Sequence, residues 1–192
     1  MLIKAKNNKI KESLNIYLKL DFFHTINNIF SQITKIWRFF LMSMKVTSKV
    51  FNKDEHIPDR YACKGVNVSP PLHWGPVSGT VKYAIICEDP DAPSGTWTHW
   101  IIFNLPSEVN SVDEWIMERE ELKNGAKQGL NDFGTVGYRG PCPPHGTHRY
   151  YFRVYALDIE IQLPSKISKA ELRNAMEGHI IKEGSLMGRY TR

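Results

Sequence analysis

The stretch RYYFRVYAL, Arg149 to Leu157, limits the fold of this chain more than any other. Its aromatic and β-branched content is that of a long, largely buried strand. Strict alternation sets His148, Tyr150, Phe152, Val154 and Ala156 on one face. Other segments read the same way: Lys45 to Phe51 alternates, and Val81 to Cys87 and Trp100 to Leu105 are compact apolar strands. The turns between them are rich in Pro and Gly, in VSPPLHWGPVSG (Val68 to Gly79), DPDAPSG (Asp89 to Gly95) and GYRGPCPPHG (Gly137 to Gly146). One helix is predicted, where Ser168 and Glu171 form a capping box ahead of an apolar stripe at Leu172, Ala175, Met176 and Ile180. It is expected to end at Gly184, and a weaker helical turn is expected over Asp113 to Leu122.

Composition changes abruptly at Met44. Residues 1–43 hold no Gly, Pro or Val, and Lys, Asn, Ile, Phe and Leu supply 28 of the 43. They also carry seven Lys/Arg against two Asp/Glu, while residues 44–192 carry eighteen of each, so the net charge of +5 belongs to the first piece. The remainder is a neutral single domain with no basic stripe, which argues against nucleic-acid binding. The longest uncharged run, Phe22 to Thr34, is 13 residues and too polar to span a bilayer. Lys35 and Arg38 interrupt any secretory signal. Residues 1–43 read either as an amphipathic helix, with Leu14, Leu18, Phe22, Ile26, Ile29, Ile33, Ile36 and Phe40 at steps of three and four, or as translated upstream DNA ahead of a true start at Met44 or Met42. Three cysteines, Cys63, Cys87 and Cys142, without a C-x-x-C pair fit neither a disulfide framework nor a zinc site, and a cytoplasmic setting is expected.

The chemistry gathers at strand ends. His99 and His148 each stand at the head of an apolar strand beside a Pro/Gly loop, positioned to meet the Asp89/Asp91 pair at one end of a sheet. Two Asp and two His could hold zinc, manganese or iron, which makes a metal-assisted hydrolase using Asp89, Asp91, His99 and His148 one reading. The other is an anion pocket, in which aspartates orient histidines and loop N–H groups complete a cradle. Ser94 lies in no nucleophile-elbow context, and no phosphate-binding glycine loop or dinucleotide fingerprint occurs.

DPDAPSGTWTHWIIFNLP (Asp89 to Pro106) together with GYRGPCPPHGTHRYYFRVYALD (Gly137 to Asp158) resembles the phosphatidylethanolamine-binding protein family, in its bacterial and archaeal Raf kinase inhibitor-like branch. The resemblance runs from about Lys45 through GSLMGRY (Gly184 to Tyr190). It implies a mainly β fold, a large central antiparallel sheet packed on a smaller one with few peripheral helices, and a small anion pocket at one end. By the family's motifs Asp89, Asp91, His99, His148 and Tyr150 form that pocket, with Trp97, Pro143 and Pro144 at its rim. The implied ligand is a small phosphorylated or carboxylated molecule. His99 and His148 are expected to donate to it, with Asp89 and Asp91 orienting and charging them. No cofactor and no turnover are implied, and a kinase or serine protease is the possible protein target.

Overall fold

The computed structural model describes residues 43–192, so the amphipathic-helix and late-start readings of the N-terminal piece lie outside the described residues. In chain order the elements are β1 (Val46–Thr47), β2 (Leu72–Trp74), β3 (Lys82–Asp89), β4 (Trp97–Pro106), β5 (Ser111–Val112), β6 (Lys127–Gln128), β7 (Thr147–Leu157), α1 (Lys169–Met176) and β8 (Ile180–Thr191). They form a five-stranded sheet in the order β6-β4-β3-β7-β8 and a three-stranded sheet in the order β1-β2-β5. Every strand pairing in both sheets is antiparallel.

The RYYFRVYAL strand is interior to the large sheet, between β3 and β8, and this explains its composition. One face, with Tyr83, Ile85, Trp100, Ile102, Phe152 and Val154, packs with Leu72, Trp74 and Val112 of the small sheet. The other, with Ala84, Ile86, Ile101, Phe103 and Tyr155, packs with Leu172 and Met176 of α1. A strand covered on both sides needs apolar residues at nearly every position, and each large side chain so buried contributes about 2 kcal/mol.

Several sequence expectations change. The strand expected over Lys45 to Phe51 is confined to Val46–Thr47, because the Ser48 hydroxyl donates to the Pro71 carbonyl at 2.6 Å and also accepts from Val50 N–H. A serine that bonds locally offers the backbone an alternative to the ladder. The capping box forms as expected, with Ser168 Oγ accepting from Glu171 N–H and Glu171 Oε2 from Ser168 N–H. The helix nevertheless stops at Met176 rather than near Gly184. Gly178 takes φ +81° just beyond it, and Ile180, which the helical stripe included, opens β8 along the free edge of β7. The Asp113 to Leu122 segment forms no helix: Trp115 sits at φ +65°, and the Glu114 carboxylate is held by Arg60 and Tyr61. The cysteine reading is also corrected, since Cys63 and Cys142 are bridged across 79 residues with Cα atoms 5.4 Å apart, and Cys87 is a buried free thiol. Tertiary proximity of two turn regions made that pair, which spacing along the chain does not encode. Among the described residues no helix is long and apolar enough to cross a membrane.

Candidate functional site

The end of β3 and the beginning of β7 lie side by side, with Glu88 opposite Tyr151, so Asp89 and His148 meet at one end of the large sheet. His148 Nδ1–H donates to Asp89 Oδ2 at 2.8 Å, and the two residues are 5% and 3% exposed. The other Asp89 oxygen accepts from Asp91 N–H at 2.8 Å, closing the turn that Pro90 and Pro93 stiffen. Asp89 is thereby fixed in place, and it fixes which imidazole nitrogen of His148 carries a proton.

His99 arrives by a different device. Cys87 is paired with Trp100 but Glu88 with Thr98, so His99 is the extra residue of a β-bulge in β4. Alternation outward from Trp100 would have sent its ring to the face that α1 covers. The bulge turns it toward Tyr150, whose ring it meets edge-on at 5.2 Å. Its Nδ1–H donates to the Arg139 carbonyl at 2.6 Å, and its own carbonyl accepts from Arg139 N–H. Burial, the strongest influence on this ring, pushes its pKa below the usual histidine value despite the Arg139 carbonyl and the charges of Asp89 and Asp132. Nδ1 thus carries a proton committed to the Arg139 carbonyl and burial disfavours a second proton on Nε2, which weighs against the expectation that His99 donates to an anion.

These residues border a cavity of about 210 Å³, and seven of the eight expected residues line it: Asp89, Trp97, His99, Pro143, Pro144, His148 and Tyr150. Two wall groups are buried without a hydrogen-bond partner, the Tyr150 hydroxyl and Trp97 Nε1. Burial, with the negative charge of Asp89 and the approach of its carboxylate to the hydroxyl, raises the Tyr150 pKa far above that of an ordinary phenol, so the hydroxyl keeps its proton. The proline wall is carried by the Gly140–Pro144 loop, which the Cys63–Cys142 bridge ties down. Gly140 N–H also donates to Asn67 Oδ1 at 2.7 Å, and Cys63 N–H to the Pro141 carbonyl.

Asp91 does not join them. Its carboxylate accepts from Arg149 Nε at 2.8 Å, Nη2 at 2.6 Å and the backbone N–H at 2.9 Å, outside the cavity. The Arg149 guanidinium holds its pKa down to about 2. Asp91 thus anchors the turn to the start of β7 and orients neither histidine. Among the described residues no group of three or more His, Cys, Asp and Glu is arranged to hold a metal ion. Asp89 bonds to His148, His99 Nδ1 turns to a carbonyl, and Asp91 faces away.

The sequence reading missed Phe133, which meets Trp97 and His99 edge-on at 5.6 and 5.4 Å and is 47% exposed at the rim. A lone aromatic in the polar turn NDFG gives no signal of this. It also missed Ala92, Pro93, Ser94 and Cys142 as wall residues, although the first three lie inside the quoted DPDAPSG turn and Cys142 lies beside the two rim prolines.

Comparison with known proteins gives one consistent answer. The family model described as phosphatidylethanolamine-binding protein matches residues 47–191. A UPF0098 protein of Methanothermobacter thermautotrophicus is 50% identical over 150 residues, covering 78% of this chain and 99% of the relative. A UPF0098 protein of Pyrococcus horikoshii is 49% identical over 156 residues, covering 79% of this chain and 78% of the relative. Among solved structures, a phosphatidylethanolamine-binding protein homologue from Chlamydia trachomatis superposes with a TM-score of 0.72 at 39% identity, covering 79% of this chain and 99% of the other. YbcL of Escherichia coli, described as a new member of the mammalian PEBP family, gives a TM-score of 0.72 at 33% identity, covering 78% of this chain and 99% of the other.

Proposed function

The chain belongs to the phosphatidylethanolamine-binding protein family, and we propose that its cavity recognises a small phosphorylated or carboxylated molecule and does not turn it over. Family membership supports ligand binding in general. The observation that carries the anion reading is Trp97 N–H, buried without a partner on the cavity wall, with the Tyr150 O–H beside it making no well-formed hydrogen bond although the Asp89 carboxylate approaches it. A buried donor with no acceptor costs about 1–3 kcal/mol, and an oxyanion oxygen would recover it. His148 is the third donor. Its Nδ1–H is committed to Asp89, so Nε2 is the nitrogen left for the ligand, and Asp89 compensates the charge when that nitrogen carries a proton.

Regulation of a kinase or serine protease extends this reading, with a phosphorylated or acidic group of the target seated in the cavity and half-exposed Phe133 as the contact at its rim. A cytoplasmic setting, the other part of the proposal, is opposed by the Cys63–Cys142 bridge, because a reducing compartment keeps such a pair as thiols: alkylation of both in intact cells marks that compartment, and protection of both an oxidising one.

The binding itself is tested by calorimetry, titrating inorganic phosphate into the full chain and into the His148→Ala variant. Loss of one charge-assisted hydrogen bond weakens affinity by about tenfold to a hundredfold. Unchanged affinity in the variant would overturn the reading.

A further inference from the structure

We propose that the cavity selects an oxyanion carrying its own proton, a hydrogen-phosphate group either free or on a phosphomonoester, and that His99 Nε2 accepts that proton. The inference rests on the anion reading of the cavity and narrows it.

Among the described residues the wall is unusual for an oxyanion site in having no lysine or arginine. The nearest guanidinium in sequence, Arg149, is held outside by Asp91. Sites for fully ionised phosphate ordinarily recruit such cations. This wall instead mixes donors with acceptors. The donors are Tyr150 O–H and Trp97 N–H, joined by His148 Nε2 when that nitrogen carries a proton. The acceptors are His99 Nε2 and the Asp89 carboxylate.

The acceptor role of His99 follows from its bonding. A backbone carbonyl only accepts, so the 2.6 Å contact between Nδ1 and the Arg139 carbonyl keeps the proton on Nδ1. A second proton on Nε2 would create a cation in a ring that is 3% exposed and flanked edge-on by Phe133 and Tyr150. The titratable groups facing this ring are Asp89, Asp132, Tyr150 and, across the cavity, His148. Nε2 therefore presents a lone pair to the cavity, close to a carboxylate. A fully ionised oxyanion placed there meets two groups that repel it. A P–O–H placed there donates to one of them while its remaining oxygens accept from the wall donors.

The chemistry names the discriminating ligands. Inorganic phosphate keeps at least one P–O–H at neutral pH, whereas sulfate, of nearly the same size, has none. Methyl phosphate is about half protonated at pH 6, near its second pKa, and dimethyl phosphate has no proton to give. A site built around a hydrogen bond rejects the analogue that lacks it, because the buried partner is left unpaired.

Calorimetry on the wild-type full chain, at pH 7 for the first pair and pH 6 for the second, is expected to show phosphate and methyl phosphate binding about tenfold or more tighter than sulfate and dimethyl phosphate. Equal affinities within each pair would overturn the inference while leaving the anion reading intact. Failure of all four to bind would overturn both. The His99→Leu variant should lose the preference, its phosphate and sulfate affinities converging, and a preference that survives in a folded variant would remove His99 from the role. A last arm separates the sources of the group: vesicles of phosphatidylcholine doped with phosphatidic acid present it on a lipid, and methyl phosphate presents it in solution. Competition between them supports the inference with a lipid source, and binding of methyl phosphate alone supports it with a soluble one.

Discussion

Glu88 and Asp89 are consecutive on β3, both buried, and the sheet gives them opposite chemistry. Glu88 points to the face under α1, where Arg153 Nε lies 2.7 Å from one oxygen and Lys169 Nζ and Arg173 Nη2 lie 3.4 and 3.7 Å from the other. Burial is the strongest single influence and opposes its ionisation, but the hydrogen bond from Arg153 and the charges of Lys169, Arg153 and Arg173 outweigh it and hold the pKa below the usual glutamate value. Asp89 points to the other face, with one imidazole and one backbone N–H for company and two unpartnered donors on the same wall. Alternation alone separates the neighbours by face. On one face a helix closes over the carboxylate and supplies its cations. On the other, the layers end in loops that leave space beside it. The closed side holds the fold, and the open side is free to bind.

The open side depends on bracing from outside the sheet, and removing that bracing should produce the largest effect. The proline wall has no ladder of its own, and the Cys63–Cys142 bridge ties it to the turn that follows Tyr61. Cys142→Ser is expected to lower unfolding stability by about 3 kcal/mol, as for a native bridge closing a long loop. Phosphate affinity should weaken several-fold with it, and a dithiol added to the wild type should do the same. Urea unfolding and calorimetry on one preparation check both. Stability lost with affinity unchanged would mean that Asn67 and the Cys63 backbone hold the wall by themselves.

Much of this contrast was legible in the sequence, and the parts that were not share a cause. RYYFRVYAL announced an interior strand, and its alternation placed His148 and Tyr150 on one face, as observed. The motif resemblance then brought the rim residues together. Three features were hidden because partners distant in sequence make them. The bulge that turns His99 into the cavity exists only in the pairing of β4 with β3. The role of Asp91 depends on Arg149, whose guanidinium reaches back across the strand end. The last turns of the predicted helix were lost to β8, because an open edge on β7 competed with a helical stripe that Gly178 had already broken. Glu88, in the middle of an apolar strand, drew no attention at all, since its three partners lie 65 or more residues ahead.

A change on the closed side should give the second largest effect and leave binding alone. Glu88→Ala removes the anion that three partly exposed cations share, and the expected cost is about 2 kcal/mol, below that of a fully buried pair because water still reaches the cations. Phosphate affinity should stay within about twofold of wild type, since no atom of Glu88 lines the cavity. A parallel loss of affinity would show that the two faces are coupled through β3, and the division into a closed side and an open side would fail.

The smallest effects separate the two sides by pH. Glu88 and Asp91 are both held below their ordinary values of 4.5 and 3.8, Asp91 at about 2. Their stabilisation is complete above the unfolded-state values and is lost as pH falls through the folded ones, because the unfolded chain takes up those protons first. His99 is depressed as well, from an ordinary 6.5. The unfolded state binds its proton first too, so stability declines as pH falls below about 6.5. Unfolding free energy measured from pH 8 to 2 should therefore decline in two stages, an upper one from His99 on the open side and a lower one from the carboxylates. His99→Leu should remove the upper stage alone. Glu88→Gln and Asp91→Asn should flatten the lower one, Asp91→Asn at its acid end. Saturating phosphate should deepen the upper stage: the ligand stabilises the folded state with His99 neutral, and a proton on Nε2 takes away the acceptor that the bound hydrogen phosphate needs. A ligand effect confined to the carboxylate stage would assign the binding proton to Asp89 rather than His99.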